Sequence, residues 1–277
     1  MGYQSGQKTI FITGGASGLG REVGRYFAEQ GWFVGIADIN DKGMAETAAL
    51  IPEGQSSNHR LDVTDRAQWK QAVAEFGAIT GGKMNVLFNN AGIGEGGAIQ
   101  DMEDAAIDRM IAINLTGVIS GTRACFEMLK STADSCVLYT ASAAGIYGVA
   151  DLSVYSATKF AVRGLAESHD IEFRKYGIKS RSLMPGFIDT NIISNVVEGT
   201  NQSGKQRLEE AGVMVSPVSI IGPAAWGAVH GDKLHTPVNK MAKQLAFAAR
   251  WMPGRVRKQS VSLASNLGDV LAGSEEK

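Results

Sequence analysis

The chain has 277 residues, with 27 Lys and Arg against 28 Asp and Glu. This length suffices for one large domain with a substantial core. The balanced charge produces no overall field that would favour a nucleic-acid partner. No apolar run reaches the roughly 18 residues that a membrane-spanning helix needs. No secretory signal pattern opens the sequence, so we expect a cytoplasmic protein.

Apolar, strand-like runs alternate with helical patterns along most of the chain. This alternation predicts an α/β fold, with a doubly wound parallel sheet of about seven strands and helices on both faces. Ligands of such sheets bind beyond the carboxyl ends of the strands. The predicted strands lie near 8–13, 32–37, 57–61, 84–88, 135–140 and 178–184, with DKLHTPV (232–238) as a candidate for the seventh.

A glycine-rich turn, Gly14 to Gly20, follows the first strand and precedes a helical pattern. This order lets backbone amides and a helix N-terminus approach a pyrophosphate closely. By itself, a glycine cluster fits an ordinary tight turn equally well. The second strand, however, ends at Asp38, at the spacing where a carboxylate accepts hydrogen bonds from the adenosine ribose. Asp38 would repel a 2′-phosphate and neither Gly15 nor Ile39 is a cation, so we expect NAD rather than NADP.

The segment SAAGIYGVADLSVYSATK carries Ser142, Tyr155 and Lys159. Residues four apart share a helix face, so the Lys159 ammonium is predicted to lie beside the Tyr155 phenol and to favour its ionised form. A phenol with an ordinary pKa of about 10 could then exchange a proton with an alcohol. Ser142 could be a turn residue instead, and Lys159 a solvated helix lysine.

Together these motifs resemble the short-chain dehydrogenase/reductase family over residues 8 to 190. Thr13 to Gly20 is similar to the family's TGxxxGxG turn, and Asn89 to Gly92 to its NNAG element. The resemblance implies a Rossmann-like fold, a dimer or tetramer, and NAD-dependent interconversion of a secondary alcohol and a ketone. Tyr155 would be the acid/base, Ser142 would hold the substrate oxygen, and Lys159 would hydrogen bond the nicotinamide ribose.

The resemblance implies further functional residues. Asn114 fits a catalytic asparagine that supports a water chain from Lys159, although it could simply cap or bend a helix. Asp62 and Val63 resemble a pair that contacts adenine, although Asp62 could be an N-cap or turn residue. The implied cofactor-binding set is Gly14, Ala16, Ser17, Gly18, Leu19, Gly20, Asp38, Ile39, Asp62, Val63, Asn90, Ala91, Gly92, Tyr155, Lys159, Pro185, Gly186, Ile188 and Thr190.

Mostly apolar residues are expected to surround the substrate, with residues of about 188–215 as a mobile lid. No Arg or Lys near the chemistry would clamp a carboxylate or phosphate. We therefore expect an uncharged, largely apolar alcohol or ketone, such as an aryl, terpenoid or steroid-like compound. The alternative is that these side chains only pack the lid. The candidate substrate residues are Ser142, Ala144, Ile146, Tyr147, Phe187, Ile192 and Val196.

The C-terminal part departs from the usual family pattern. Residues 238–251 form a basic amphipathic helical pattern, and Arg255, Arg257 and Lys258 follow. Such a charge run is ordinarily a solvated face, and its alternatives are contact with an anionic membrane surface or with a partner subunit. We expect one Rossmann-fold domain over 1–250 and a basic, partly disordered tail over 251–277.

Other classes of site and function receive less support. The four histidines are scattered, so we predict no metal site. Cys125 and Cys136 lack CxxC spacing and are expected to stay reduced inside the fold. The alternatives to an NAD-dependent dehydrogenase are a catalytically silent nucleotide-binding sensor or scaffold of the same fold, and a peripheral-membrane, lipid-modifying dehydrogenase.

Overall fold

A seven-stranded, wholly parallel sheet forms the centre of the molecule, in the order β3-β2-β1-β4-β5-β6-β7. The computed structural model describes residues 2–190 and 214–261. The α/β prediction is confirmed, including the seventh strand. The strands are β1 (Thr9–Thr13), β2 (Phe33–Asp38), β3 (Ser56–Arg60), β4 (Val86–Asn89), β5 (Cys136–Thr140), β6 (Lys179–Met184) and β7 (His235–Pro237).

Helices cover both faces of this sheet. A π-helical segment, Ala112–Gly117, joins the fourth helix to the fifth. Among the described residues, no helix combines the length and apolar character needed to cross a bilayer. The helices are α1 (Gly18–Glu29), α2 (Asp41–Ala48), α3 (Arg66–Thr80), α4 (Asp104–Ile111), α5 (Val118–Lys130), α6 (Ser153–Glu172), α7 (Ile221–His230) and α8 (Lys240–Trp251).

The core has two layers because successive side chains of each buried strand point to opposite faces. In β1, Phe11 packs with α3, α5 and α6, whereas Ile10 and Ile12 pack with α1, α2 and α7. Cys125 and Cys136 are both buried and unpaired, on opposite layers. Burial on both faces explains why the central strands β1, β4 and β5 are largely apolar runs.

The strand order places a crevice above the neighbouring strands β1 and β4. At this point the chain's progression reverses, so the loops that follow the two strands diverge. Asp38 and Asn89 are the last residues of β2 and β4, and Ser142 and Pro185 follow β5 and β6. The predicted site residues therefore gather at one edge of the sheet.

Two predictions for the C-terminal part concern the lid over about 188–215 and the domain boundary at residue 250. Most of the predicted lid, including Ile192 and Val196, lies outside the described residues. The boundary expected at residue 250 is not a structural one, because residues 253–261 are helical and Val256 is buried against the domain. The remaining tail, 262–277, lies outside the described residues.

Candidate active site

The glycine turn has a backbone that only glycine accommodates well. Gly14 has a φ of +67°, and a Cβ on Gly20 would lie 2.2 Å from the Gly14 carbonyl oxygen. The turn ends at the N-terminus of α1, where Ser17 is the N-cap residue and makes no side-chain cap. The first-turn amides of α1 therefore face the crevice without a side-chain acceptor, as a phosphate-binding turn requires.

Asp38, at the end of β2, is hydrogen-bonded to the glycine turn. Its Oδ2 accepts a hydrogen bond of 3.1 Å from the Ala16 amide, and its Oδ1 accepts one of 3.0 Å from the Asn40 amide. The neighbouring Ile39 is exposed. A cavity of about 340 Å³ opens beside the turn. Backbone amides of the turn next to the Asp38 carboxylate are an arrangement that suits a dinucleotide, and a contact of Asp38 with a ribose stays a prediction.

Two cations that the sequence analysis did not single out line this cavity. Arg21 donates to the Ala16 carbonyl at 2.5 Å and to the Thr47 hydroxyl at 3.0 Å, and it pairs with Glu46 at 3.0 Å. Lys42 is exposed at the rim. In the sequence, the position of Arg21 directly after the last glycine of the turn is the feature that could have indicated its contact with the turn. Its role is to brace the turn against α2.

A chain of hydrogen bonds joins the glycine turn to the reactive side chains. Asn90 Nδ2 donates to the carbonyl oxygens of Thr13 (3.0 Å) and Gly14 (3.3 Å). Asn90 Oδ1 accepts from the Thr140 hydroxyl at 3.0 Å, and the Thr140 carbonyl accepts from Lys159 Nζ at 3.0 Å. Thr140 carries no charge and belongs to no motif, so the sequence alone could not reveal its place here.

Lys159 is a buried cation. Only 4% of the residue is exposed, so its interpretation as a solvated helix lysine is wrong. Burial lowers the pKa of Lys159 to about 8, because leaving water penalises the charged form. Gly92 adjoins the ammonium, since a Cβ there would lie 3.5 Å from Nζ.

Tyr155 is partly buried, and its ring centroid lies 5.5 Å from Lys159 Nζ. Burial raises the pKa of Tyr155, and a hydrogen bond with the Ser142 side chain opposes that rise. The expectation that the lysine charge lowers this pKa is therefore not met. The ammonium lies near the ring and donates to the Thr140 carbonyl, and desolvation of the phenol is the main cause of the raised pKa of Tyr155.

Ser142 is a turn residue, and its role in holding the substrate oxygen stays a prediction. Its Oγ accepts a hydrogen bond of 3.1 Å from the Ala144 amide, which caps the short 3₁₀ turn Ala143–Gly145. The same side chain interacts with Tyr155. Ser142 is thus a turn residue whose hydroxyl is held beside the phenol.

Asn114 lies in the π-helical segment and is almost fully buried. Its amide group exchanges two 2.9 Å hydrogen bonds with the backbone of Ile93, and its Nδ2 also contacts the Thr158 hydroxyl at 3.3 Å. Thr158 in turn donates to the Tyr155 carbonyl at 2.7 Å. The π-helical geometry agrees with a bend at Asn114, and single π-turns are frequent at functional sites.

Asp62 is a turn residue in this structure. Its Oδ1 accepts from the amide (2.9 Å) and the hydroxyl (2.7 Å) of Thr64. Val63 is buried, and its carbonyl accepts from the Trp69 indole at 2.9 Å. A contact of Asp62 and Val63 with adenine remains a prediction.

The segment after β6 lies over the glycine turn. The Pro185 carbonyl accepts from the Ala143 amide at 2.8 Å, and Ile188 is buried and bridged to Ser216. A Cβ on Gly18 would lie 3.5 Å from the Thr190 methyl. The segment after β6 therefore reaches the start of α1 at Gly18.

The candidate substrate residues divide by burial. Ala144 and Ile146 are buried, and Ile146 belongs to the main core layer. Tyr147 and Phe187 are only partly buried. Ile146 therefore contributes to the core, whereas Tyr147 and Phe187 keep exposed surface, and contact of these residues with a substrate stays a prediction.

Comparisons with known proteins agree with this geometry. A family profile described as short chain dehydrogenase matches residues 8–201. Levodione reductase of Leifsonia aquatica is 30% identical over 226 residues, covering 78% of this chain and 83% of that protein. The 3-alpha-(or 20-beta)-hydroxysteroid dehydrogenase of Mycobacterium tuberculosis (strain ATCC 25618 / H37Rv) is 36% identical over 203 residues, covering 73% and 77% respectively. The crystal structure of a short chain dehydrogenase/reductase from Burkholderia phymatum in complex with NAD is similar in fold, with a TM-score of 0.79, 23% identity and coverage of 93% and 96%.

Proposed function

We propose, from the premise that this chain belongs to the short-chain dehydrogenase family, that it interconverts a secondary alcohol and a ketone with NAD. Membership makes it an oxidoreductase with a nicotinamide cofactor. The observation that best supports the alcohol–ketone reaction is that Ser142, Tyr155 and Lys159 lie together. Hydrogen bonds through Thr140 and Asn90 connect Lys159 to the glycine turn.

The proton transfer follows from the side chains of the site. Bound NAD would supply the hydride acceptor. Tyr155 Oη takes the hydroxyl proton of the alcohol in oxidation and returns it in reduction. Ser142 is a neutral donor that holds the substrate oxygen while its charge changes. In oxidation, the Lys159 ammonium near the ring would stabilise the phenolate that takes the proton. Asn114 holds the Ile93 loop at the site.

The NAD preference is argued from Asp38. Its carboxylate is already hydrogen-bonded to the turn at Ala16, so it stays at the ribose edge, where a 2′-phosphate would meet a like charge. Arg21 offers little compensation because Glu46 and the Ala16 carbonyl occupy its guanidinium. NADH should therefore bind more tightly than NADPH in a fluorescence titration, and Asp38→Ala should reduce the difference. Tighter NADPH binding by the parent protein would contradict the preference.

An uncharged, largely apolar substrate is favoured by the residues around the chemistry. Tyr147 and Phe187 keep accessible surface near Ser142, and the buried cation Lys159 already donates to a backbone carbonyl. The two sequence relatives have names that refer to levodione and to hydroxysteroids, both of which belong to this chemical class.

The deciding experiment is a screen of racemic secondary alcohols with NAD, followed at the nicotinamide absorbance, and repeated with Tyr155→Phe. Removing the acid/base should lower turnover by about 10²–10⁴-fold, with cofactor binding retained. Tyr139→Phe is the matched control, because Tyr139 is a fully buried tyrosine that bonds His169 outside the crevice. Cofactor binding with no turnover on any alcohol would favour the silent sensor or scaffold.

A further inference from the structure

The chain between Asp232 and Asp269 is strongly basic. It contains no acidic residue, in a protein whose formal net charge is −1. Its cations are Lys233, Lys240, Lys243, Arg250, Arg255, Arg257 and Lys258. A cluster of this density attracts anionic surfaces within about a Debye length.

Helix α8 adds large apolar groups to this charge. Its exposed residues recur at helical spacing and so share one face. Phe247 is 61% exposed and Trp251 65% exposed, and the Arg250 guanidinium lies 5.4 Å from the Trp251 ring. The exposed face of α8 consists of Lys240, Lys243, Gln244, Phe247, Arg250 and Trp251.

The opposite side of α8 is fixed to the protein. Leu245, Ala246 and Ala249 pack against the main core layer. Beyond the helix, Met252 is exposed and Val256 is buried, so the cations that follow belong to folded chain. We call the exposed side chains of α8, with Met252, Arg255, Arg257 and Lys258, the basic-aromatic face.

The start of α8 lies at the active-site end of the sheet. Met241, in the first turn of α8, is close to the segment after β6, since a Cβ on Gly186 would lie 2.6 Å from its Cε atom. Asn239 caps α8 and also donates to Ser216 at 3.2 Å. The first turn of α8 is therefore joined to the segments that border the crevice.

We propose that the basic-aromatic face docks on an anionic lipid membrane surface. A helix that lies on such a surface presents cations to the headgroups and Trp, Phe or Met to the interface below them, as this face does. A second copy of the chain fits less well, because a two-fold interface would bring one cationic face against another. The docking is independent of the proposed reaction.

Co-sedimentation of the full chain with vesicles tests the proposal. The parent should bind vesicles that contain phosphatidylserine and stay in solution with phosphatidylcholine alone. Lys243→Glu with Arg250→Glu should lower the bound fraction about tenfold or more. Arg66→Glu with Lys70→Glu makes the same change of charge on exposed positions of α3, and it should bind like the parent. Thermal melts should show that both double variants are folded.

Trp251 provides a second measurement in the unmodified protein. Trp32 and Trp69 are buried and Trp226 is partly buried, whereas Trp251 is exposed. Anionic vesicles should therefore shift the tryptophan emission to shorter wavelength, and Phe247→Ser should weaken binding at high salt, where charge attraction is screened. Equal binding by the parent and by Lys243→Glu with Arg250→Glu would overturn the proposal. Binding of an oligonucleotide without binding of vesicles would overturn it too.

Discussion

Two serine-centred clusters lie at different positions on the same sheet, one beyond the end of a strand and one within a strand. In the crevice, Ser142 follows β5 and adjoins Tyr155. Along β6, the Ser182 hydroxyl lies 2.8 Å from His235 Nδ1, and the partly buried His235 places Nε2 3.0 Å from Oε1 of the exposed Glu167. By residue type, the second cluster matches the serine, histidine and carboxylate of a nucleophilic triad.

Position distinguishes the two clusters. Ser182 has no exposed surface and lies within β6, directly paired with His235 across the β6–β7 ladder. No substrate carbonyl could reach its hydroxyl. Ser142, in contrast, comes after the end of its strand, where the loops diverge and leave room for a ligand. Access at a strand end, rather than residue identity, therefore decides which serine can take part in a reaction.

Replacing each serine by alanine gives the largest expected contrast. Ser142→Ala should lower kcat/KM by about 10²–10³-fold, because the substrate oxygen loses a fixed donor. Ser182→Ala should leave kcat/KM nearly unchanged and should lower the Tm by about 2–6 °C, since a buried partner of His235 is removed. Steady-state assays and thermal melts of both variants check this contrast. Equal losses of activity would contradict it.

The pH dependence of ketone reduction tests the electrostatics of the crevice. The pKa of Tyr155 is raised, so the phenol keeps the proton that reduction requires at neutral pH. Lys159, whose pKa is about 8, loses its charge above that pH. Because Tyr155 becomes a phenolate as it gives up its proton, and the Lys159 charge would stabilise that phenolate, reduction should be level from pH 6 to about 8 and fall above that as Lys159 is neutralised.

Lys159→Arg provides the comparison, because a guanidinium stays charged throughout this range. The fall in its reduction rate should move to higher pH, whatever the absolute rate of the variant. A profile of the parent protein that stays level to pH 10 would show that the charge of Lys159 does not govern the reaction.

The smallest expected effect concerns the cluster of Ser182, His235 and Glu167 and the pH dependence of the stability of the fold. Burial lowers the pKa of His235, against opposing contributions from Glu167 and Asp170. Below the unfolded value of about 6.5, the unfolded chain binds a proton that the folded chain does not, so stability falls as pH decreases. His235→Gln should reduce this fall between pH 7 and 5, measured as Tm against pH. His59 and His169, whose pKa values are also lowered, should maintain part of it.

Much of the fold and of the site followed from local patterns. Strands buried on both faces are continuous apolar runs, so β1 and β5 could be located from the sequence. Gly14 and Gly20 are required by backbone geometry within one turn. The spacing of Tyr155 and Lys159 placed them on adjacent turns of α6 because helix geometry is local.

Properties that depend on distant contacts could not be predicted in this way. The Lys159 charge was expected to lower the pKa of Tyr155, whereas burial of the phenol raises it. Ile146 was expected to contact substrate, whereas it packs in the core layer. Arg21 was overlooked because its partner Glu46 lies on another helix.

The sequence by itself therefore determined the order of the strands and helices, the glycine turn and the identity of the reactive side chains. Only the tertiary structure decided how far each of them is removed from water and which distant group it meets. The physical reason is that helix and strand geometry depends on neighbours in the chain, whereas desolvation and hydrogen-bond partners depend on packing between segments. Thr140, which connects Asn90 to Lys159, is the plainest example.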